Sequence, residues 1–497
     1  MNKMVYLAGG GPGDPGLITV KAMNLILEAD CIIYDYLVND ELLRDSSAEK
    51  IYVGKQGSNH TLTQDQINNL LVEKGKEFNS VLRLKGGDPF IYGRGGEEAQ
   101  VLREAGLSFE IVPGISSFYA APAYAGIPIT HRDCASAFEV ITGHRRADAS
   151  EEEDVNFPEY DDNRTFAFLM GVKNLPHITK SLIEKKNFPS DTGVAVVSRG
   201  TTPRQRTVTG TLKTICDIVV KEKITAPAII VVGSVVHLRE ELQWFENRPL
   251  WGKKIVVTRS RAQASKISKS LSLLGAEVVE FPTLEIVAAK DMSPLHEAIE
   301  YIDSYDRVVF TSQNAVNIFF DELFLKGKDV RALGSLKIAA IGPATADELK
   351  KFGLIADLVP DKYVAEGLLE KMIDVANEQI LLPCSAQARM TLKEGLEEKG
   401  ATVNRVEIYS AEKPALIDEK LIHSVSTADF ITFASSSTVH HFFDIIKNTD
   451  AELASIGPIT SQAIIERKKT ISVEAAEYTI PGLVKALVDH CSEGKSS

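Results

Sequence analysis

Hydrophobic positions along the 497-residue chain form short apolar runs separated by amphipathic stretches, so strands and helices are expected to alternate almost throughout. Residues 4–8 and 31–34 are apolar runs flanking an amphipathic stretch over 18–28, which predicts a β–α–β unit. The same pattern predicts strands at 81–84, 109–112, 138–141, 165–170, 194–197 and 228–232. At 244–254 (WFENRPLWGKK) it breaks, and Pro249 and Gly252 punctuate a polar stretch before a new strand at Ile255. The main linker is expected there. Beyond it the chain repeats itself. KIVVTRSRAQ with LGAEVVEF (254–281) resembles QILLPCSAQA with KGATVNRVEIY (379–409), and VVFTSQNAVNIFF (308–320) resembles FITFASSSTVHHFF (430–443). IAAIGPATA (338–346) matches LASIGPITS (453–461), and EGLLEKM (366–372) matches PGLVKAL (481–487). Blocks recurring in one order at so long a period imply duplication into two α/β lobes, which normally leave a cleft between them.

Length alone implies three or four domains at about 150 residues each. Charge narrows the partners. The 55 Lys+Arg and 68 Asp+Glu leave a net charge of −13, divided as 27 against 33 over residues 1–250 and 28 against 35 over the rest. Neither half is a polyanion-binding surface, so no nucleic-acid partner is expected, although a small anion can still bind where basic side chains converge. No run approaches the roughly 20 apolar residues that span a bilayer, and the opening MNKMVYLAGGGPGD reads as a strand and Gly loop, not a signal peptide. A cytoplasmic protein with no membrane partner is therefore expected. Cysteines 31, 134, 216, 384 and 491 are far apart with no CxxC, which argues against a disulfide scaffold or a zinc site, and no metal is expected. The acidic stretch at 148–162 reads as a solvated loop.

Two glycine-rich loops carry the candidate chemistry of the first half. Gly11-Pro12-Gly13-Asp14-Pro15-Gly16 fits G-x-G-x-x-G between a strand and a helix, with Asp35 closing the next strand where a dinucleotide-binding unit holds the ribose. The two prolines delete N–H groups from the region that would cradle a pyrophosphate, so the loop suits a ligand without phosphates better. The second loop, VLRLKGGDPFIYGRGGEE from Val81, has five glycines within 86–96. Such density suggests backbone lying against a ligand or in positive-φ turns.

Together GGGPGDPGLIT, YDYLV, LKGGDPFIYGRGGEE, VPGISS, GIPITHR, RGTTPRQRTVTGTL and APAIIVVG resemble, in order, the uroporphyrinogen-III C-methyltransferases among the tetrapyrrole methylases, across residues 4–240. That resemblance implies S-adenosyl-L-methionine as methyl donor, contacted by Pro12, Gly86, Gly87, Asp88, Ile91, Ser116, Ser117, Met170 and Gly200. It further implies Asp35 as proton acceptor and Lys55 as proton donor, and a homodimer formed through this half. The substrate it implies is a polycarboxylate tetrapyrrole, and Arg94, Arg132, Arg199, Arg204 and Arg206, in or beside motif loops, are the candidates to hold its carboxylates. Two positions depart from the family pattern, Tyr36 where Arg is usual and Ser198 where an acid is common.

The second half shows no nucleophile–base pair, metal cluster or phosphate loop after residue 254. Short hydroxyl-rich loops follow its strands instead: 258–261, 311–314, 435–438 and two Ile-Gly-Pro turns, able to cap helices or to line a cleft with donors. KIVVTRSRAQ, FPTLEI, VVFTSQNAV, IAAIGPATA, GATVNRVEIY and ASIGPITSQAI resemble uroporphyrinogen-III synthase over 254–490. This implies closure of hydroxymethylbilane without a cofactor, with Tyr409 and Thr460 as catalytic candidates and Arg259, Arg261 and Arg389 as carboxylate anchors.

The expected architecture is α/β: a two-lobed methylase module (1–113 and 114–245), a linker (246–253), then a duplicated two-lobed synthase module (254–286 with 414–497, and 287–413). The expected function makes uroporphyrinogen III and methylates it twice, at C-2 and C-7, giving precorrin-2 toward siroheme or cobalamin, with no dehydrogenase or chelatase step. The competing reading is an NAD(P)-linked oxidoreductase using the 11–16 loop, fused to a two-lobed module that binds a small anion.

Overall fold

A computed structural model describes residues 3–54, 62–143, 157–258, 261–412 and 419–493. The chain divides into two compact units, one of residues 1–254, 269–278 and 488–497, the other of residues 255–268 and 279–487.

In the first unit β1 (Met4–Gly9), β2 (Cys31–Tyr34), β3 (Glu49–Tyr52), β4 (Ser80–Lys85) and β5 (Ser108–Val112) form a parallel sheet of order β3-β2-β4-β1-β5. Its central strands are near-continuous apolar runs because helices cover both faces. Leu82 and Leu84 of β4 pack with Ala22 and Ile26 of helix Val20–Glu28, while Val81 packs on the opposite side with Ile67, Leu71 and Leu102. Thr19 caps that helix by accepting from the Ala22 amide, which places its start where the amphipathic pattern begins. β3 was not expected, since EKIY is half charged and lies at the sheet edge.

A second sheet of β6 (Ala137–Thr142), β7 (Arg164–Leu169), β8 (Gly193–Ser198), β9 (Arg206–Thr211) and β10 (Ala228–Val232) has order β6-β7-β10-β8-β9, antiparallel except at β6–β7. β9 (RTVTGT) is an edge strand without an apolar run, and it places Arg206 at a strand start, not in a loop. Within segment 246–253, expected as a linker, Leu250 is fully buried, and the Arg248 guanidinium lies 4.8 Å from the Trp244 and Phe245 ring centres. Its apolar side chains have found surface to bury against, which its polar average concealed.

Two further sheets are formed by the strands from Lys254 onward. β11 (Lys254–Val257), β12 (Glu277–Glu280), β18 (Phe430–Phe433), β19 (Glu452–Ser455) and β20 (Val473–Glu474) have order β12-β11-β18-β19-β20. β13 (Glu285–Ala288), β14 (Arg307–Phe310), β15 (Lys337–Ala340), β16 (Gln379–Ser385) and β17 (Thr402–Glu412) have order β13-β17-β16-β14-β15, with β13 antiparallel to β17. The repeat read from the sequence is matched in geometry. Phe310 meets Phe319 at 5.4 Å and 74°, and Phe433 meets Phe442 at 5.4 Å and 78°. A Cβ on Gly367 would lie 2.1 Å from the Lys362 carbonyl oxygen, and one on Gly482 the same distance from that of Glu477. Gly275 and Gly400 both turn with positive φ, at 96° and 89°. No helix among the described residues is long and apolar enough to cross a membrane.

Candidate active sites

In the first unit the ends of β4, β1 and β5 lie side by side, and each strand runs into a glycine. A Cβ on Gly9 would sit 2.4 Å from the Gly87 carbonyl oxygen and 2.5 Å from the Gly114 Cα, and one on Gly114 2.3 Å from that oxygen, so both positions need the absence of a side chain, while Gly87 turns with φ 70°. The two glycine loops are bonded to each other, Gly87 N–H donating to the Gly11 carbonyl at 2.7 Å and Gly11 N–H to that of Gly87 at 3.3 Å. Asp88 staples the third strand end to them. Its Oδ1 accepts from the Phe90 amide (2.7 Å) and its Oδ2 from the Gly114 amide (2.9 Å). Ser116 is buried, and Gly87 lies about 4.0 Å from the Ser116–Ser117 backbone by the position of its missing Cβ.

The second sheet closes over the first loop. Asp14 N–H donates to Thr201 Oγ1 (3.1 Å), Tyr124 donates its hydroxyl to Asp14 Oδ2 (2.7 Å), and a Cβ on Gly13 would lie 3.3 Å from the Gly200 carbonyl oxygen. Burial, then the bond to Asp14, raises the Tyr124 phenol above its ordinary range, so it remains a donor. The loops around this patch are strained: Tyr92, Arg94, Met170, Arg199 and Thr201 all adopt φ between 49° and 68°. Each such residue costs on the order of 1–3 kcal/mol, and strain of this kind gathers where geometry serves a ligand.

Asp35, at the end of β2, reaches the same patch. Its Oδ1 accepts from the Gly86 amide (3.3 Å) and from the Leu37 amide (3.1 Å), and its Oδ2 lies 3.6 Å from the Arg83 guanidinium. The structure thus brings Pro12, Gly86, Gly87, Asp88, Ser116, Ser117, Gly200 and Asp35 together. Met170, exposed at the end of β7, and Ile91, on the exposed turn after Asp88, stand outside this hydrogen-bonded network. Lys55 lies outside the described residues. Of the candidate arginines, Arg94 pairs with Glu97 (2.6 Å), Arg204 with Glu277 (Nε at 2.7 Å) and Arg206 with Glu222 (3.1 Å), whereas Arg132 and Arg199 are exposed. Exposed pairs such as those of Arg94 and Arg206 are worth only about 0–1 kcal/mol, so either can open toward another carboxylate.

In the second unit the strand ends meet helix starts. Ser312, ending the loop after β14, accepts from the Ala315 amide (3.0 Å) to cap helix Gln313–Leu325. Ser435 does the same for helix Ser436–Ile445 from the Thr438 amide, and the backbone angles are φ −165°, ψ 157° and φ −165°, ψ 158°. Tyr409 on β17 is buried and its hydroxyl bonds Ser312 Oγ at 2.9 Å. Burial pushes its phenol pKa up and the Ser312 bond opposes that, so the net shift is upward and the group is a protonated donor near neutral pH. Thr460 is buried in the first turn of helix Pro458–Glu466, in the other sheet's lobe from Tyr409. Arg389 is exposed, Arg259 lies outside the described residues, and Arg261 begins helix Arg261–Leu273.

Comparison with known proteins decides the family. Residues 4–216 match the model of the tetrapyrrole (corrin/porphyrin) methylases and residues 265–485 that of uroporphyrinogen-III synthase HemD. The porphyrin biosynthesis protein HemD of Ruminiclostridium josui is 38% identical over 98% of this chain and 97% of its own length. The uroporphyrinogen-III C-methyltransferase of Bacillus subtilis is 42% identical over 72% of this chain and 74% of its own. The enzyme of that name from Priestia megaterium is 51% identical over 47% of this chain and 98% of its own. The chain belongs to the fused tetrapyrrole methylase–uroporphyrinogen-III synthase family. It joins C-methyltransferase and synthase activities of tetrapyrrole biosynthesis in one polypeptide, and its methylase family uses S-adenosyl-L-methionine.

The tetrapyrrole methylase loop also explains why the dinucleotide reading fails. The amides of Gly10, Gly11, Asp14, Gly16 and Leu17 are already bonded within the protein, and Pro12 and Pro15 have none. Almost nothing is left to cradle a pyrophosphate, and the next helix begins only at Val20. Sequence reasoning passed over Arg83, Lys85 and Glu98, three charged residues at most 4% exposed behind Asp35. A signal existed: charges at alternate positions of VLRLK, inside a strand that otherwise reads as buried. Asn39, whose amide holds the Gly13 carbonyl at 2.8 Å, was also missed.

Proposed function

We propose that the second unit closes hydroxymethylbilane to uroporphyrinogen III and that the first methylates this product at C-2 and C-7 to give precorrin-2. The observation that carries the assignment of residues is the Asp35 carboxylate bonded to the Gly86 amide, which sets a base at the wall of the glycine cradle. The cradle fits the methyl donor, because its three meeting strand ends offer backbone with no Cβ to obstruct a close-lying ligand. S-adenosyl-L-methionine, when bound, supplies an electrophilic methyl group for attack by a pyrrole carbon. The 86–88 turn, Pro12, Ser116, Ser117 and Gly200 hold it, with Ile91 and Met170 at the rim. Asp35 accepts the proton that the methylated macrocycle loses, and the C–H electron pair stays in the macrocycle to cancel its charge. Lys55 returns a proton. Arg94, Arg132, Arg199, Arg204 and Arg206 hold carboxylates of the substrate.

In the second unit the Tyr409 hydroxyl, aligned by Ser312, donates to the departing hydroxyl group of hydroxymethylbilane. Thr460 faces the substrate from the other lobe, Arg259, Arg261 and Arg389 hold its carboxylates, and no cofactor takes part. The first unit pairs as a homodimer, for which exposed Phe90, Tyr92, Tyr119 and Phe138 supply apolar surface; a solution mass of one chain would contradict this.

Incubating the full chain with hydroxymethylbilane and methyl-labelled S-adenosylmethionine tests the reading. A cyclised tetrapyrrole bearing two labelled methyl groups is expected. Asp35→Asn should cut methylation by about 10²–10⁴-fold while closure continues. Retained methylation in that variant removes Asp35 from the chemistry, and loss of both activities contradicts separate sites.

A further inference from the structure

The first unit gathers four charged side chains, three of them buried, as one cluster. Glu98 is fully buried, and its Oε1 takes Arg83 Nε (3.2 Å), Lys85 Nζ (2.8 Å) and Gln64 Nε2 (3.3 Å), while its Oε2 has no protein partner. Arg83 fills its NH1 with the carbonyls of Ile33 (3.4 Å) and Leu84 (3.2 Å) and extends NH2 to Asp35 at 3.6 Å. Burying charges in this way is poor for stability, since an apolar set of equal volume is often as good or better. The cluster has one member open to the ligand side, Asp35, whose side chain is 26% exposed. Its remaining members lie under the floor of the cradle, where the Lys85 carbonyl also anchors the Gly10 amide at 2.7 Å.

Two cations and two anions balance to zero. When Asp35 takes a proton, the cluster becomes positive by one charge. Without Glu98 it would start at plus one and move to plus two, and proton uptake would be opposed. The bond lengths agree: Arg83 is hydrogen-bonded to Glu98 and stands further off from Asp35. Among the described residues, the charged and titratable groups around Asp35 are Arg83 and Lys85 from β4, Glu98 behind them, Tyr52 from β3, and Tyr34, Tyr36 and Asp40 from its own side.

We propose that Glu98 and Lys85 are positioning residues for methyl transfer, acting through Arg83: Glu98 draws the guanidinium back from Asp35 so that this carboxylate stays able to take the macrocycle's proton. This rests on Asp35 as the proton acceptor. The test is the pH dependence of methylation by the full chain with uroporphyrinogen III, in Glu98→Gln, Lys85→Met and the double variant, beside Asp35→Asn. Glu98→Gln should move the acidic limb of kcat down by about one pH unit, and Lys85→Met should move it up by a similar amount. The double variant restores neutrality and should return the limb to its parental place. The fall in kcat for Glu98→Gln should be about tenfold, with KM for S-adenosylmethionine within about twofold of the parent. A merely structural role moves neither limb, or moves both the same way, and either result overturns the proposal. If one single variant fails to bind S-adenosylhomocysteine, the other and the double variant decide. If Asp35→Asn abolishes methylation while the limbs stay still, this proposal alone fails; if Asp35→Asn methylates normally, the assignment of Asp35 fails with it.

Discussion

The two units finish their strands differently. In the first, the strand ends that meet are glycines packed backbone to backbone, and a Cβ on Gly114 would lie 2.3 Å from the Gly87 carbonyl oxygen. In the second, the corresponding strand ends carry Ser312 and Ser435, whose hydroxyls cap the next helices with nearly identical angles. Backbone packed at that distance has no slack, whereas a serine cap is worth about 1 kcal/mol and its helix survives without it. The contrast follows the chemistry. A site that grips a small donor needs rigid walls, while one that steers a flexible chain needs donors spread along its surface.

The sharpest way to break the contrast is Gly114→Ala. Displacing the Gly87 loop by a fraction of an ångström to an ångström should weaken S-adenosylhomocysteine binding by about 10²-fold, read by titration calorimetry, with ring closure unaltered. Normal affinity would show that the cradle is looser than the glycine contacts indicate. Next in size is the matched pair Gly367→Ala and Gly482→Ala, each of which drives a Cβ into a carbonyl oxygen 2.1 Å away. Each should cost about 1–3 kcal/mol of second-unit stability in denaturant unfolding, and by nearly the same amount. A large difference between them would show that the two lobes, alike in geometry, are unlike in rigidity.

Tyr409→Phe removes one hydroxyl and leaves the ring in place. Loss of a neutral donor is worth about 1.4 kcal/mol, so the closure rate should fall about tenfold while methylation is untouched. An unchanged rate would take Tyr409 out of the reaction and leave Ser312 as a helix cap only. The smallest effect is electrostatic. Burial, reinforced by Glu49, raises the Cys31 thiol from 9.0 to about 11. Because the folded value is raised, its stabilising contribution is complete below pH 9 and is lost as pH climbs toward about 11. Cys31→Ala should therefore flatten the alkaline decline of first-unit stability, by at most about 1.4 kcal/mol per pH unit, and a decline of unchanged slope would count against it.

Much of this was legible before any coordinates. The β2 run at 31–34 was read to the residue, because a buried parallel strand is a continuous apolar segment with polar flanks. The duplication was legible because both copies keep the same glycines and phenylalanines, and the rings of Phe310 and Phe433 occupy matching positions. β3 and β9 were not, since edge strands need little apolar surface. Within 246–253 the burial of Leu250 was not legible for a related reason: local polarity says little about a side chain whose burial depends on what stands opposite.

By itself the sequence determined the alternation of elements, the repeat, the motifs and so the family, all of which are written in local patterns. Which charges are engaged was decided only by the tertiary structure. Arg94 and Arg206, candidates to hold substrate carboxylates, already hold carboxylates of their own chain. Arg83, Lys85 and Glu98, given no role from the sequence, are gathered beneath Asp35. A charge acquires its meaning from its partner and its burial, neither of which a single position records.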